Sequence, residues 1–364
     1  LSISIVGMAG LTFVVIAFYP NDMGGLYPVL LALGLLAGSG IATFSVGISQ
    51  VSYWFPQANQ GTALATYGGV GNLAPGIFSF LIPVAIAAVL LEGAYVIWLL
   101  FLIVGTFLYF RIGCNSPYFQ LRDKGIPATE AREAASAQGQ ELFPAARLID
   151  SLRISARRWK NWVLVILYFT TFGGFIALTA WFPTYWKDFY DQSTFEAGTL
   201  TATFSILASV VRIFGGRVSD RIGGERTAIG ALAAMLVAAL VLTFSATFLV
   251  SLFAALLLAC GMGVNNAAVF KLVPQEVPDA VGGAAGWVGG LGAFGGFAIP
   301  PAMAAFVSGD TGFDTGFLVF VGLTILCLVL ATVLYRSRSL QAPASEPPKA
   351  ATPPRDPQPA SHAA

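Results

Sequence analysis

Windows of about 20 apolar residues recur along the whole chain, and this feature restricts the fold more than any other. Each is long enough to cross the hydrocarbon core of a bilayer as an α-helix. The ten segments have approximate limits of 1–19, 27–50, 61–83, 94–111, 161–182, 197–215, 227–246, 248–272, 282–307 and 314–335. Because 56% of the 364 residues are hydrophobic and 10% are charged, a soluble core cannot bury this apolar surface. The sequence therefore predicts an all-α membrane protein with about ten transmembrane helices.

The spans fall into two groups around a polar segment. Four spans within 1–111 form a predicted N-terminal helical bundle, and six within 161–336 form a C-terminal bundle. The basic loop 112–160 joins them, and the Pro-, Ala- and Ser-rich tail 337–364 is predicted to be disordered. Positive residues also concentrate in GGRVSDRIGGERT (215–227), whereas the alternate loops are mainly acidic. By the positive-inside rule, the long loop and both chain ends are predicted to be cytoplasmic.

Two glycine-rich segments lie in corresponding spans, each before the last span of its group. GGVGNLAPG occupies 68–76 and GGLGAFGGF occupies 289–297. Small residues recur there at spacings of three and four, which puts them on one helix face. Such a face permits close helix packing in lipid, either as fixed packing or as packing that changes during transport. The predicted conformational glycines are Gly68, Gly69, Gly71, Gly289, Gly290, Gly292, Gly295 and Gly296.

One basic residue is well placed inside a span. Arg212 lies in LASVVRIFGG, and every acidic residue can be assigned to a loop, a span end or the tail. A buried arginine without a carboxylate suits an anion, because the planar guanidinium matches a planar oxyanion. The alternative is that Arg212 extends to the cytoplasmic surface. Asn72, Asn265 and Asn266 are candidate neutral donors to the anion, or else they form hydrogen bonds between helices.

Aromatic residues and a second cation accompany these spans. Tyr168 and Phe172 are four residues apart on one helix face, and Phe44 lies in the second span. Taken alone, such residues are more often packing or lipid-contact residues than ligands. Lys271, in VFKLVP, is a second possible cation but is expected to reach the cytoplasmic interface.

The loop GGRVSDRIGG (215–224) resembles the loop motif of the major facilitator superfamily in its second-half copy. The two glycine segments resemble the paired nitrate-signature segments of the nitrate/nitrite porter family within that superfamily. FSVGISQVSYWFP (44–56), YFTTFGGF (168–175) and NNAAVFKLVP (265–274) are similar to the same family. The resemblance implies a twelve-helix carrier of which the spans are helices 3–12, apparently without the first two. The first-half arginine of the family then has no counterpart here.

This resemblance implies a carrier that moves nitrate and nitrite by alternating access in a bacterial inner membrane. Arg212 matches the second-half substrate arginine of the family, and the three aromatic residues are implied to flank a flat anion. The predicted substrate-binding residues are Phe44, Asn72, Tyr168, Phe172, Arg212 and Asn265. Because no histidine or obvious carboxylate lies within the spans, exchange is favoured over proton symport. The alternatives are a carrier of another small anion, such as a monocarboxylate or dicarboxylate, an anion channel, or an inactive truncated chain.

Catalytic and metal chemistry have little support in this sequence. No nucleophile–base pair, metal cluster or phosphate-binding loop appears within the spans, so an enzyme, a metal and a cofactor are not expected. The cysteines Cys114, Cys260 and Cys327 follow no ligand spacing. We expect a monomer whose partners are membrane lipid and a small inorganic anion, nitrate or nitrite, and not nucleic acid.

Overall fold

The computed structural model describes residues 1–21, 23–144, 148–307, 312 and 314–339, and within these ranges the chain is helical and has no β-strand. The first part contains α1 (Ser2–Phe18), α2 (Tyr27–Gly38), α3 (Ala42–Trp54) and α4 (Gln60–Ile112). The connecting segment contains α5 (Pro117–Asp123), α6 (Ala128–Ala137) and α7 (Leu148–Ala156). The second part contains α8 (Trp159–Tyr168), α9 (Gly174–Thr184), α10 (Thr194–Ile222), α11 (Gly224–Phe244), α12 (Phe248–Glu276), α13 (Val281–Ala293), α14 (Gly295–Ala304) and α15 (Leu318–Ser339). The tail prediction beyond α15 lies outside the described residues.

Seven helical stretches of the described chain are long and apolar enough to cross a membrane. They are Gly24–Trp54, Val84–Ile112, Trp159–Phe189, Thr194–Ile222, Gly224–Phe244, Phe248–Glu276 and Thr315–Ser337. A shorter apolar helix covers Ser2–Phe18, and the two remaining predicted spans, 61–83 and 282–307, are helical over most of their length. The predicted all-α membrane fold is confirmed.

One predicted span differs from the structure in its continuity. The third and fourth spans are two helical parts of α4, separated as predicted by non-helical backbone at Val89 and Leu90, where Leu90 adopts φ 61°. The ninth span is divided into α13 and α14 at Phe294. Glycines surround that residue, and their low helix propensity explains why the helix is interrupted there.

The helix that contains Tyr168 is interrupted by π-helical turns. These cover Phe169–Gly173, between α8 and α9, and Tyr185–Phe189, after α9. A π turn widens the helix locally and changes the direction of the side chains that follow, and it is frequent at functional sites. The first π turn contains Phe172, so it helps to determine how this ring meets Tyr168.

The predicted polar loop 112–160 is folded and contacts both groups of helices. On one side, the backbone N–H of Gln57 donates a hydrogen bond to Glu141 at 2.8 Å. On the other, the backbone N–H of Gly283 donates to the hydroxyl of Ser151 at 2.8 Å. Because Ser151 belongs to α7 and Gly283 to the first turn of α13, α7 is packed directly on the glycine-rich helix. The loop is therefore more than a flexible connection between two bundles.

A carboxylate at the end of α10 connects the two groups of helices. Asp220 accepts hydrogen bonds from the backbone N–H groups of Gly61 and Thr62, at 3.1 and 2.7 Å, and thus caps the N-terminus of α4. It also forms an ion pair with Lys271 of α12. The ion pair is largely buried, with side-chain exposures of 6% for Lys271 and 15% for Asp220. Lys271 therefore does not extend freely into the interface as expected, since Asp220 binds it inside the protein.

We expect Asp220→Asn to destabilise the protein strongly. The substitution leaves Lys271 as a buried, uncompensated cation, a change that costs about 3–5 kcal/mol for buried ion pairs. The matched control is Asp279→Asn, which breaks the exposed pair between Arg158 and Asp279. Exposed pairs contribute about 0–1 kcal/mol. Thermal unfolding in detergent measures both variants, and equal midpoints would contradict a structural role for Asp220.

Candidate functional site

Arg212 is buried at the interface between α4 and α10. Its exposed fraction is 0%, so the guanidinium does not reach a surface. The ion pairs at Arg158, Lys160 and Lys271 do not include Arg212, and no carboxylate lies within ion-pair distance of it among the described residues. Since a buried charge is costly without a counter-charge, this residue is the most unusual electrostatic feature of the chain. The same described residues contain no His, Cys, Asp and Glu group that could hold a metal ion.

Three aromatic rings surround the guanidinium. Its central carbon lies 5.4 Å from the ring centroid of Phe44, 5.7 Å from that of Phe270 and 6.0 Å from that of Tyr168. These are cation–π distances, and such contacts offset part of the cost of burying the charge. Sequence reasoning did not select Phe270, because one phenylalanine in an apolar helix carries no distinguishing signal. Its contact with Arg212 is visible only in the folded structure.

The predicted aromatic residues form one continuous stack. The rings of Tyr168 and Phe172 are 4.8 Å apart with an interplanar angle of 15°, and those of Phe172 and Phe44 are 5.7 Å apart at 7°. Tyr67 extends the stack on the far side of Phe44, at 5.5 Å and 22°. The structure thus brings together Phe44 of α3 with two residues from the fifth predicted span. The ring planes of this stack are nearly parallel, and such planes match a flat ligand in shape.

The guanidinium keeps unused hydrogen-bonding capacity. Nη1 donates to the hydroxyl of Tyr168 at 3.5 Å, the long limit for such a bond. Nε and Nη2 are buried and have no partner. Buried donors in native proteins are nearly always satisfied, and exceptions occur where a ligand or ordered water binds. The arrangement is therefore a cationic, buried and incompletely satisfied donor group, as an anion site requires.

The first glycine segment packs directly against Arg212. A Cβ atom at Gly68 would overlap the guanidinium, and one at Gly69 would lie 2.8 Å from the carbonyl oxygen of Ser209. The hydroxyl of Ser209 donates to the backbone carbonyl of Asn72 at 2.7 Å. Among the described residues the Asn72 side chain has no hydrogen bond, and it lies one helical turn from Gly68. Its amide is thus uncommitted, and its contact with substrate stays a prediction.

Asn265 lies in a separate polar cluster between α12 and the first π turn. Its Nδ2 donates to the hydroxyl of Thr171 at 3.2 Å, and this hydroxyl lies 2.7 Å from Oδ1 of Asn266. The same hydroxyl is 2.9 Å from the carbonyl of Leu167. It has one proton, and the shorter contact to Asn266 is the better assignment. The geometry favours hydrogen bonding between helices for Asn265, and its contact with substrate stays a prediction.

We expect Thr171→Val to loosen the first π turn. The valine has nearly the same shape but leaves Asn265 and Asn266 without their shared partner, and each interhelical bond of this kind contributes up to about 1.7 kcal/mol. We therefore expect a loss of about 1–3 kcal/mol in unfolding free energy. Thr170→Val is the control, because that hydroxyl donates within its own helix to the carbonyl of Ile166 and accepts only from the weak thiol donor of Cys327. If the Thr171→Val protein is as stable as the control, this polar cluster does not stabilise the packing of the first π turn against α12.

The predicted conformational glycines are not equivalent. Positions at which an added Cβ would lie within 3.0 Å of another atom are Gly68, Gly69, Gly292, Gly295 and Gly296. Gly71 and Gly290 face open space, and Gly289 is buried. Among these positions the closest backbone approach is at Gly295, where a Cβ would lie 2.4 Å from the carbonyl oxygen of Phe169. A Cβ at Gly292 would lie 2.5 Å from the ring of Tyr168, so the second segment supports the aromatic stack.

A groove lies beside this site and outside it. It has a volume of about 620 Å³ and is lined by Val46, Ser49, Leu152, Gly282, Gly286, Trp287, Gly290 and Leu291. The glycines of α13 are thus divided, because Gly282, Gly286 and Gly290 border the groove whereas Gly292 is packed against Tyr168. The guanidinium itself is enclosed, so the described structure has the arginine in a closed arrangement.

Comparisons with known proteins agree with this architecture. The model of the Major Facilitator Superfamily matches residues 1–300 and, in a second match, 191–363. The chain is 31% identical to the probable nitrate/nitrite antiporter NarK1 of Thermus thermophilus, over 81% of this chain and 68% of that protein. It is 28% identical to the nitrite extrusion protein of Bacillus subtilis, over 84% of this chain and 71% of that protein.

Solved structures with low sequence identity have the same fold. The proton:xylose symporter XylE, bound to a bromo-deoxyglucose, matches with a TM-score of 0.66 at 14% identity, over 91% of this chain and 78% of that chain. The human organic anion transporter MFSD10 matches with a TM-score of 0.61 at 18% identity, over 90% of this chain and 76% of that one. At these identities the similarity concerns the fold alone.

Proposed function

The chain belongs to the Major Facilitator Superfamily and, within it, to the nitrate/nitrite porter family, and from this premise we propose that it carries nitrate and nitrite across the membrane. It is an integral multi-pass membrane protein. The observation that carries the proposal is the buried guanidinium of Arg212, of which two nitrogen atoms have no partner. An anion that binds there supplies the missing counter-charge and the missing acceptors together.

The aromatic stack supports a flat substrate. Nitrate and nitrite are planar, and two rings that enclose a planar ion stand about 7 Å apart, twice the usual contact distance. The centroids of Phe44 and Phe172 are 5.7 Å apart. The two rings must therefore separate before an ion enters between them. Binding is thereby coupled to a movement of α3 against the segment between α8 and α9.

Alternating access is the mechanism that we propose. Asp220 connects α10 to the N-terminus of α4 and to Lys271 on one side of the arginine. Close glycine contacts connect α4 with α10 and α13 with the first π turn. Surfaces with so few side chains let helices change their relative position at low steric cost. We infer that the Asp220 contacts form and break as the site opens to each side in turn.

Exchange of the two anions is the transport mode that we favour over proton symport. Arg212 has no carboxylate partner in the described ion pairs, so it offers no coupled proton carrier of its own. An arginine that is left unpaired and buried when the site is empty disfavours the return of the empty carrier. Two relatives from Thermus thermophilus are named as probable nitrate/nitrite antiporters, which supports the proposal.

The test is uptake of labelled nitrite into proteoliposomes that contain the purified chain. We expect uptake into nitrate-loaded vesicles, little uptake into empty vesicles, and no effect of a protonophore. Uptake into empty vesicles that depends on an inward proton gradient would identify symport instead. Uptake that responds to internal formate or oxalate and not to nitrate would identify a carboxylate carrier of the same fold.

A further inference from the structure

The helix α7 presents an exposed face that no other part of the described chain covers. Ile149 and Arg153 of α7 and Arg157, directly after its end, follow one another at spacings of four residues and form one row. Ile149 is 61% exposed and Ile154 is 37% exposed. The opposite side, with Ser151 and Ser155, is buried. We call the five residues Ile149, Arg153, Ile154, Arg157 and Trp159 the interfacial face.

The charges on this face are not neutralised within the described protein. Two neighbouring basic residues have carboxylate partners, since Arg158 pairs with Asp279 and Lys160 pairs with Glu276. Neither Arg153 nor Arg157 has a carboxylate within ion-pair distance among the described residues. Their guanidinium groups are therefore free to bind an external anion, and the two arginines outnumber the one carboxylate of α7, Asp150.

The position of α7 places this face close to the membrane surface. Only two residues separate the end of α7 at Ala156 from Trp159, the first residue of a span. Three peptide units reach about 10 Å at most, comparable with the about 5–8 Å of polar headgroup region on each side of a bilayer. Trp159 is 48% exposed, and tryptophan is enriched at this depth because its ring is apolar and its N–H is polar.

We propose that the interfacial face binds anionic phospholipid. Arg153 and Arg157 bind the headgroup phosphates, while Ile149, Ile154 and Trp159 enter the boundary of the acyl chains. Charge complementarity selects lipid of negative charge, and the exposed isoleucines select a membrane surface over a soluble anion. The binding holds α7 in the plane of the interface, where its buried side contacts Gly283 of α13.

The test measures the depth of α7 in lipid nanodiscs and requires no transport. A nitroxide is attached at Ile149→Cys, with Cys114 and Cys260 replaced by serine and the buried Cys327 retained. Accessibility to oxygen, which dissolves in lipid, is compared with accessibility to a water-soluble nickel complex. We expect the label to be deeper in discs that contain phosphatidylglycerol than in discs of phosphatidylcholine alone.

The variant Arg153→Gln with Arg157→Gln tests the charges. We expect it to weaken the preference for phosphatidylglycerol about fivefold for each arginine removed. The variant Arg122→Gln with Lys124→Gln removes the same charge from the C-terminal end of α5 and its cap in the same loop, and it serves as the control. The proposal is overturned if the label is equally accessible to nickel in both lipids, or if both double variants respond alike. A third outcome also overturns it. If the label is shielded from both oxygen and the nickel complex in detergent solution, where no bilayer is present, another protein segment covers the face.

Discussion

Arg212→Met is expected to abolish nitrate and nitrite binding and to raise the thermal unfolding midpoint. Two charge-assisted hydrogen bonds from Nε and Nη2 contribute about 1.5–3 kcal/mol each, so their loss weakens affinity by about 100-fold or more. Stability changes in the opposite direction. An unpaired buried ion costs several kcal/mol even after relaxation, whereas desolvated cation–π contacts return about 2 kcal/mol. Methionine removes the larger, unfavourable contribution and fills the space among Phe44, Tyr168 and Phe270.

The expected loss of anion affinity and the expected gain of stability distinguish a lost binding site from misfolding. A variant that lost binding because it was misfolded would unfold earlier, not later. Binding is measured by calorimetry in detergent and stability by thermal unfolding without substrate. Arg217→Gln is the matched control, since Arg217 lies on the same helix but is exposed and packs over Phe214. Nitrate binding by Arg212→Met at the affinity of the control would refute an anion site at this arginine.

Arg212→Lys separates charge from shape at the same position. Lysine keeps the positive charge but has neither the planar fork nor the second unpaired nitrogen of the guanidinium. We expect affinity between that of the parent protein and that of Arg212→Met. Parent affinity in the lysine variant would mean that the charge alone selects the anion.

The sequence was sufficient for the parts of this protein that depend on local composition. The apolar windows predicted the helices, and the isolated arginine between LASVV and IFGG was predicted to lack a carboxylate partner. The aromatic residues Phe44, Tyr168 and Phe172, selected through family resemblance, meet in one stack. In each case the informative property belongs to the residue itself or to its neighbours along the helix.

The remaining features depend on contacts between distant segments. Lys271 was expected at the interface because its partner, Asp220, is 51 residues away along the chain. Thr171 carried no signal of its own, since a threonine in a span ordinarily bonds to its own helix. Spacing also could not show which glycines are in contact, because one face of a helix can border two different neighbours. The folding of α7 onto α13 was missed because a polar, basic segment has the composition of a solvated loop.

Gly68→Ala is expected to damage the anion site severely, whereas Gly71→Ala is expected to be harmless. Both substitutions are in α4, three residues apart, and both gain about 1 kcal/mol of helix propensity. A Cβ at Gly68 overlaps the guanidinium of Arg212, whereas a Cβ at Gly71 meets nothing within 4 Å. Overpacking of this kind costs about 1–3 kcal/mol. The new Cβ should displace the guanidinium from the aromatic rings. If the same cost of about 1–3 kcal/mol falls on the binding-competent state, nitrate affinity decreases by about 5- to 150-fold.

A double-mutant cycle tests whether this effect acts through the arginine. Arg212→Met removes the atoms that the new Cβ would strike, so Gly68→Ala should cost far less unfolding free energy in that background than in the parent. Positions in direct contact show interaction energies of about 0.5–3 kcal/mol in such cycles, whereas separated positions are additive. Additive effects of Gly68→Ala and Arg212→Met would mean that the close approach of α4 to the guanidinium is absent from the stable state. Coupling of the two would explain why this position of α4 is a glycine, since it is the place where the backbone faces the charge.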